Sequence, residues 1–140
     1  MEDVVFATLE YPGRRLAQFH VSWLDPHKSR TLTVVGTQKM AVFDDTAAQK
    51  LVIHDKGFNR SGDAVTLRQG GIEVPAVDGA EPLACEARHF IDCIRGGRRP
   101  ISDGVSGTQV VSVLEYGQRS LGLGGQVIAI PQAEALRKAG

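Results

Sequence analysis

The hydrophobic period of this chain changes once, at Pro82, and that change constrains the fold more than any other feature. Before Pro82 the apolar residues recur at strand spacing and the links between runs are short. After it they recur at helical spacing. Val4 to Tyr11 (VVFATLEY) has the β-branched and aromatic content of a strand. Pro12-Gly13 signals a turn, and Leu16 to Leu24 then alternates, with Ala17, Phe19, Val21 and Trp23 on one face. Thr31 to Val35 and Lys39 to Phe43 form a second pair around Gly36-Thr37-Gln38, and Lys50 to Asp55 is a fifth strand. Links this short join antiparallel strands, because a parallel return needs a crossover of about a dozen residues or more. Between Phe58 and Gly71 four glycines near or inside the run obscure the pattern. Val65 to Leu67 and Ile72 to Val74 read there as two short strands, and Val77 to Glu81 as a loop.

From Pro82, the residues Leu83, Ala87, Phe90, Ile91 and Ile94 fall on one helical face, and Gly96-Gly97 ends the helix. Ser102 or Asp103 caps a second helix reaching about Leu121, with Gly107, Val110, Val111, Leu114, Gly117 and Leu121 as its buried stripe. Glycines on that stripe suit a helix backbone lying close to a sheet. Gln126 to Ile130 reads as a last strand and Gln132 to Gly140 as a tail. Strands first and helices after mean α+β: an open, largely antiparallel sheet with two main helices on one face. Residues 1–131 form a single domain in this reading. Two helices cover one face only, and apolar residues such as Leu24 and Val35 suggest that the other face meets a second subunit.

Charge and length restrict the function classes. The 140 residues carry 16 Lys+Arg against 16 Asp+Glu, so no global field draws the protein to nucleic acid or to an anionic membrane. The start is acidic and no run approaches the roughly 20 apolar residues of a membrane span. The expected setting is cytoplasmic. Cys85 and Cys93 lie eight residues apart on one helix, about 12 Å along its axis, beyond the reach of a disulfide.

Chemistry-bearing patterns are sparse. The glycine cluster SLGLGGQVI runs from helix to strand, the reverse of a dinucleotide-binding turn, and reads as a helix stop. Cys85, His89 and Cys93 stand four apart on the first helix, away from its apolar stripe. One straight helix brings two of such a trio to an ion but not three, so no metal site is assigned. Glu86 and His89 read as a surface or interface pair. His20 and Ser22 share a strand face without a third partner. Asp44-Asp45 has the chemistry of a general base or a magnesium ligand, but such a pair more often closes a strand and bonds the next turn. Around Asp25-Pro26, where the ladder must break, Trp23, Lys28 and Arg30 form a cluster. A planar Arg beside a compact Lys is a fair receptor for carboxylate or phosphate. The plainer reading has Asp25 pairing with one of the two cations and fixing the bend.

Trp23 through Asp45 (WLDPHKSRTLTVVGTQKMAVFDD) resembles the C-terminal domain of the glucose–fructose oxidoreductase / inositol dehydrogenase / MocA (Gfo/Idh/MocA) family. EARHFIDCIRGGRRPISDG, from Glu86 to Gly104, resembles the next block of that domain, and GTQVVSVLEYGQRSL the helix after it. The resemblance spans about Val4 to Ile130. It implies an NAD(P)-dependent oxidoreductase acting on a sugar, a sugar nucleotide or a polyol. In that family an N-terminal Rossmann domain binds NAD or NADP, and the C-terminal domain supplies substrate contacts and oligomerises through its sheet. This chain contains no Rossmann half, no Glu-Lys-Pro-type segment with the family's lysine, and no Gly-x-x-x-Asp-x-x-x-His helix. The expectation is therefore a substrate-binding and oligomerisation domain that binds no cofactor and is not catalytic alone. Cofactor and acid/base chemistry would belong to a segment upstream. Trp23, Lys28 and Arg30 are the substrate-binding candidates. Two rivals stand beside it: a non-catalytic dimerisation or scaffold module, and a small independent enzyme using His20, His54 or Asp45.

Overall fold

The structure is a computed structural model, and it describes residues 2–131. Six strands precede two helices: β1 (Val4–Tyr11), β2 (Arg15–Ser22), β3 (Thr31–Val35), β4 (Met40–Asp44), β5 (Leu51–Ser61), β6 (Ala64–Glu73), α1 (Pro82–Gly96) and α2 (Gly104–Gly122). The class is α+β with antiparallel sheets, as the period change predicts. The expected final strand at Gln126–Ile130 is not formed. No described strand pairs with it, and the Gln126 carbonyl instead accepts from the Ser120 hydroxyl at 2.6 Å. The expected tail, 132–140, lies outside the described residues.

The chain divides into two compact units. One comprises Met1–Phe6 and Phe19–Gly79, the other Ala7–Gln18 and Ala80–Gly140. The first unit holds a four-stranded sheet in the order β3-β4-β5-β6. Its centre is β4, where all five residues are half-buried. Pairing of Leu32 with Phe43, and of Phe43 with Leu51, puts these three on one face with Val34, Ala41 and Ile53. The same registers put Thr31, Thr33, Val35, Met40, Val42, Val52 and His54 on the other face, joined by Ile72 and by the facing pair Phe58 and Leu67. Both faces are thus apolar, a pattern proper to a sheet covered on both sides.

The stretch from Phe58 to Gly71 is a hairpin rather than loops and short strands. Ser61 pairs with Ala64 across Gly62-Asp63, and Gly62 takes φ 58°. A two-residue Gly-Asp link is a hairpin signal in its own right. The register slips beyond His54, so that Gly70 and Gly71 together oppose Asp55: a β-bulge. A side chain at Gly70 would collide with the Asp55 carboxylate.

In the second unit, α1 begins on Pro82 and ends at Gly97, whose φ of 57° lets the Arg98 N–H reach back to the Cys93 carbonyl at 2.9 Å. Asp103, not Ser102, caps α2, accepting from the Ser106 N–H at 2.8 Å. That bond, and then Arg99, hold the Asp103 carboxyl below the usual carboxylate range. The buried faces differ from expectation. Leu83, Phe90, Ile91 and Ile94 on α1 and Val110, Val111, Leu114 and Leu121 on α2 are exposed. Cys93 on α1 and Ser112 on α2 are the buried side chains. A Cβ at Gly107 or Gly117 would meet no atom within 4 Å, so neither glycine serves a close approach here. The apolar stripes are present at helical spacing, and among the described residues they remain exposed.

Candidate functional site

The bend at Asp25-Pro26 separates β2 from β3 and is where the candidate residues lie. Trp23 follows the end of β2. Its N–H donates to the Asp3 carbonyl at 2.8 Å, which fixes its backbone, while the residue is 79% exposed. Ser22 stabilises the start of the bend by accepting from the Leu24 N–H at 3.0 Å. Lys28 is exposed and has no ion pair among the described residues. Arg30 stands just before β3 and lies 3.6 Å from Asp45. The Asp45 N–H also donates to the Arg30 carbonyl at 3.0 Å, so backbone and side chain tie the two ends of the β3–β4 hairpin together. Lys50 reaches the other Asp45 oxygen at 2.9 Å.

Asp45 is therefore the carboxylate that holds Arg30, and the expected pairing of Asp25 with Lys28 or Arg30 does not form. The reason is geometric: closing the hairpin puts residues 30 and 45 opposite each other, continuing the register that pairs Thr31 with Asp44. No hydrogen bond, ion pair or ring contact joins Trp23, Lys28 and Arg30 to one another among the described residues. They share a bend rather than a pocket.

Other groups weighed from sequence are also located. Asp44 accepts from the Thr46 N–H at 2.9 Å and the Thr46 hydroxyl at 2.7 Å, closing its strand onto the following turn. Those bonds hold its carboxyl below the usual range. Lys50, first by its hydrogen bond and then by its charge, does the same for Asp45, with Arg30 adding to it. Two carboxylates held ionised and occupied in this way are poor general bases. His20 stacks on Phe6, centroids 4.4 Å apart and planes 3° from parallel. His54 sits in the sheet between Met40 and Ile72. His20, His54 and Asp45 thus keep separate company.

On α1, the Ile101 N–H donates to His89 Nε2 at 3.1 Å, and Cys93 Sγ lies 3.6 Å from the same nitrogen. His89 engages the linker after its helix rather than Glu86. Cys85 is exposed, and both thiols are free. Among the described residues no group of three His, Cys, Asp or Glu side chains is gathered closely enough to hold a metal ion.

One feature escaped the sequence reading. A shallow cleft of about 210 Å³ is lined by Lys39, Ile53, Asp55, Gly71, Ile72 and Glu73. Lys39 pairs with Glu73 at 3.6 Å, and Asp55 with Arg68 at 2.9 Å. The adjacent glycines at 70 and 71, inside a strand-like run, were the available signal. The cleft's charges satisfy one another, which makes it a brace for the bulge. No family model, no curated protein and no solved structure matches this chain. No described helix is long and apolar enough to cross a membrane.

A depressed carboxyl pKa makes a directional prediction. Asp45 is more acidic folded than unfolded, so its contribution is full above the unfolded value of about 3.9 and is lost as pH falls through the lower folded value. Asp45→Asn therefore destabilises the protein at neutral pH. Urea titrations of the two proteins should converge as the pH is lowered from about 4 towards 2. A gap that stays constant across that range would show that Asp45 does not act as an ion.

Proposed function

We propose that this chain is the C-terminal substrate-binding and oligomerisation domain of an NAD(P)-dependent oxidoreductase acting on a sugar, a sugar nucleotide or a polyol. The resemblance from Trp23 to Asp45 motivates the assignment. The observation that carries it is the state of the Asp25-Pro26 bend. Trp23 and Lys28 present an aromatic face and an uncommitted ammonium to solvent, and Arg30, at the far side of the same bend, is paired with Asp45 at 3.6 Å. An aromatic face packs against the apolar side of a sugar ring, and cations suit hydroxyl or phosphate oxygens. These three residues would form the substrate-side edge of a site whose reactive groups come from elsewhere.

The antiparallel topology agrees with that division of labour. A dinucleotide crevice needs parallel strands feeding helix N-termini, and every sheet among the described residues is antiparallel. NAD or NADP would be held by a Rossmann domain in the full-length enzyme, acting in the cytoplasm, where free Cys85 and Cys93 stay reduced. Nicotinamide fluorescence of NADH or NADPH should not change when this chain is added. Micromolar binding of either nucleotide to the 140 residues would refute the assignment.

The second part of the proposal is a homo-oligomer formed through the sheet. The chain exposes 12086 Å². Two separate compact bodies of half its mass would expose about 8,500 Å² together. Allowing at most about 1,500 Å² for the undescribed residues as open chain does not close that gap. Each unit therefore lacks cover. The four-stranded sheet has two apolar faces. The face bearing Val35, Phe58, Leu67 and Ile72, all exposed, is the one assigned to a second copy. The same exposed face suits a non-catalytic dimerisation module, and cofactor-dependent activity of a longer chain distinguishes the two.

A further inference from the structure

We infer that the outer edge of β3 pairs with the same edge of a second copy of this chain, joining two four-stranded sheets into one. β3 ends the sheet, and no described strand lies on its outer side. The Asp45 N–H donates to the Arg30 carbonyl at 3.0 Å and the Gly36 N–H to the Lys39 carbonyl at 2.9 Å. Both bonds belong to the register that pairs Thr31 with Asp44 and Val35 with Met40. In an antiparallel ladder the inward-bonding residues alternate. Arg30, Leu32, Val34 and Gly36 thus aim their amides and carbonyls at β4, and Thr31, Thr33 and Val35 aim theirs outward.

Protein edges are ordinarily blunted by a charge, a proline, a bulge or a covering segment. TLTVV has none of these within it. All five residues are exposed and four are β-branched. Its outward groups are also self-complementary. About a two-fold axis at Thr33, that residue meets its own counterpart and Thr31 meets Val35 of the second copy, for about six backbone hydrogen bonds. Facing threonines are a favourable cross-strand pair. This register places Arg30 opposite Gly36 of the second copy, so the flanking cations do not oppose each other. The inference needs no enzyme assignment, and it concerns the strand edge rather than the sheet face proposed above.

The test is hydrogen exchange on the full chain, read residue by residue at low and high micromolar concentration, beside two variants. Amides of Thr31, Thr33 and Val35 should be protected, more so at the higher concentration. Thr33→Pro removes one outward N–H without touching the β4 ladder, and in sedimentation it should weaken association about tenfold or more. Leu32 and Val34 amides should stay protected in it. If proline unfolds the sheet, Thr33→Lys takes its place, setting two like charges directly opposite each other at the axis; because its side chain lies on the face of Val35 and Phe58, it is read by lost protection of the Thr31 and Val35 amides rather than by sedimentation. Three results would overturn the inference. The outward amides exchange like open chain at every concentration. Their protection does not depend on concentration, which places a strand of the same chain on that edge. Or folded Thr33→Pro associates as the parent does, or, in its place, folded Thr33→Lys keeps the parent's protection at Thr31 and Val35. Because exchange at three amides reads only the edge, failure here leaves the sheet-face and oxidoreductase proposals untouched.

Discussion

Gly57→Val should lower the melting temperature by roughly 10–20 °C. Gly57 is buried in β5, paired with Arg68 of β6. A Cβ there would stand 2.8 Å from the Thr37 carbonyl oxygen and 3.2 Å from the Gln38 Cα. Both are backbone atoms of the β3–β4 turn and cannot rotate away. Arg68, which bonds the Gln38 carbonyl and pairs with Asp55, would be 3.1 Å from the same Cβ. Valine must therefore push the turn off the hairpin and break that charged hydrogen bond. Overpacking costs about 1–3 kcal/mol and the lost bond about 1.5–3 kcal/mol, against a typical total of about 5–15 kcal/mol. Gly71 supplies the control. A Cβ there meets nothing within 4 Å and its φ is unremarkable for an L-residue, so Gly71→Ala should be close to neutral. Equal melting temperatures for the two variants would show that the turn does not rest on Gly57.

Replacing Phe58 by Asp together with Leu67 by Lys should weaken self-association by roughly 100-fold or more. The two face each other across β5 and β6 and are 67% and 61% exposed. Burying each side chain fully against a partner contributes about 1.5–3 kcal/mol, and the charged pair forfeits both. Placing opposite charges directly across the hairpin keeps a favourable cross-strand pair, so the fold itself is spared. The neighbouring pair Asn59 and Thr66 points to the other face. Asn59→Asp with Thr66→Lys introduces the same charges there and should leave association unchanged. Sedimentation equilibrium reads both. Equal loss in the two double variants would place the interface elsewhere.

The contrast between these sites and the helices shows where sequence is legible. Local chemistry was readable: Pro12-Gly13 as a turn, Gly97 past a helix end, Asp103 as a cap, Asp44 bonding its own turn. Each depends on residues within a few positions of one another. The Gly62-Asp63 hairpin was equally local, and was missed because the glycines at 57, 70 and 71 suggested breaks instead of a bulge and a close approach. The identity of the buried helix faces was not local. Periodicity finds an apolar stripe but does not say whether its cover is in the same unit, and here Cys93 and Ser112 are buried while the stripes are exposed. At the bend, the residue types around Asp25-Pro26 were clear. The partner of Arg30 was not, since Asp45 lies fifteen positions away and is brought near only by the β3–β4 register.

The claim on which the account rests is that the apolar second face of this sheet is completed by another polypeptide. Sedimentation velocity of the full chain over a micromolar dilution series tests it directly. A dimer or larger species that dissociates on dilution is the predicted result. A single monomeric boundary at every concentration, from a protein that remains folded, would contradict it.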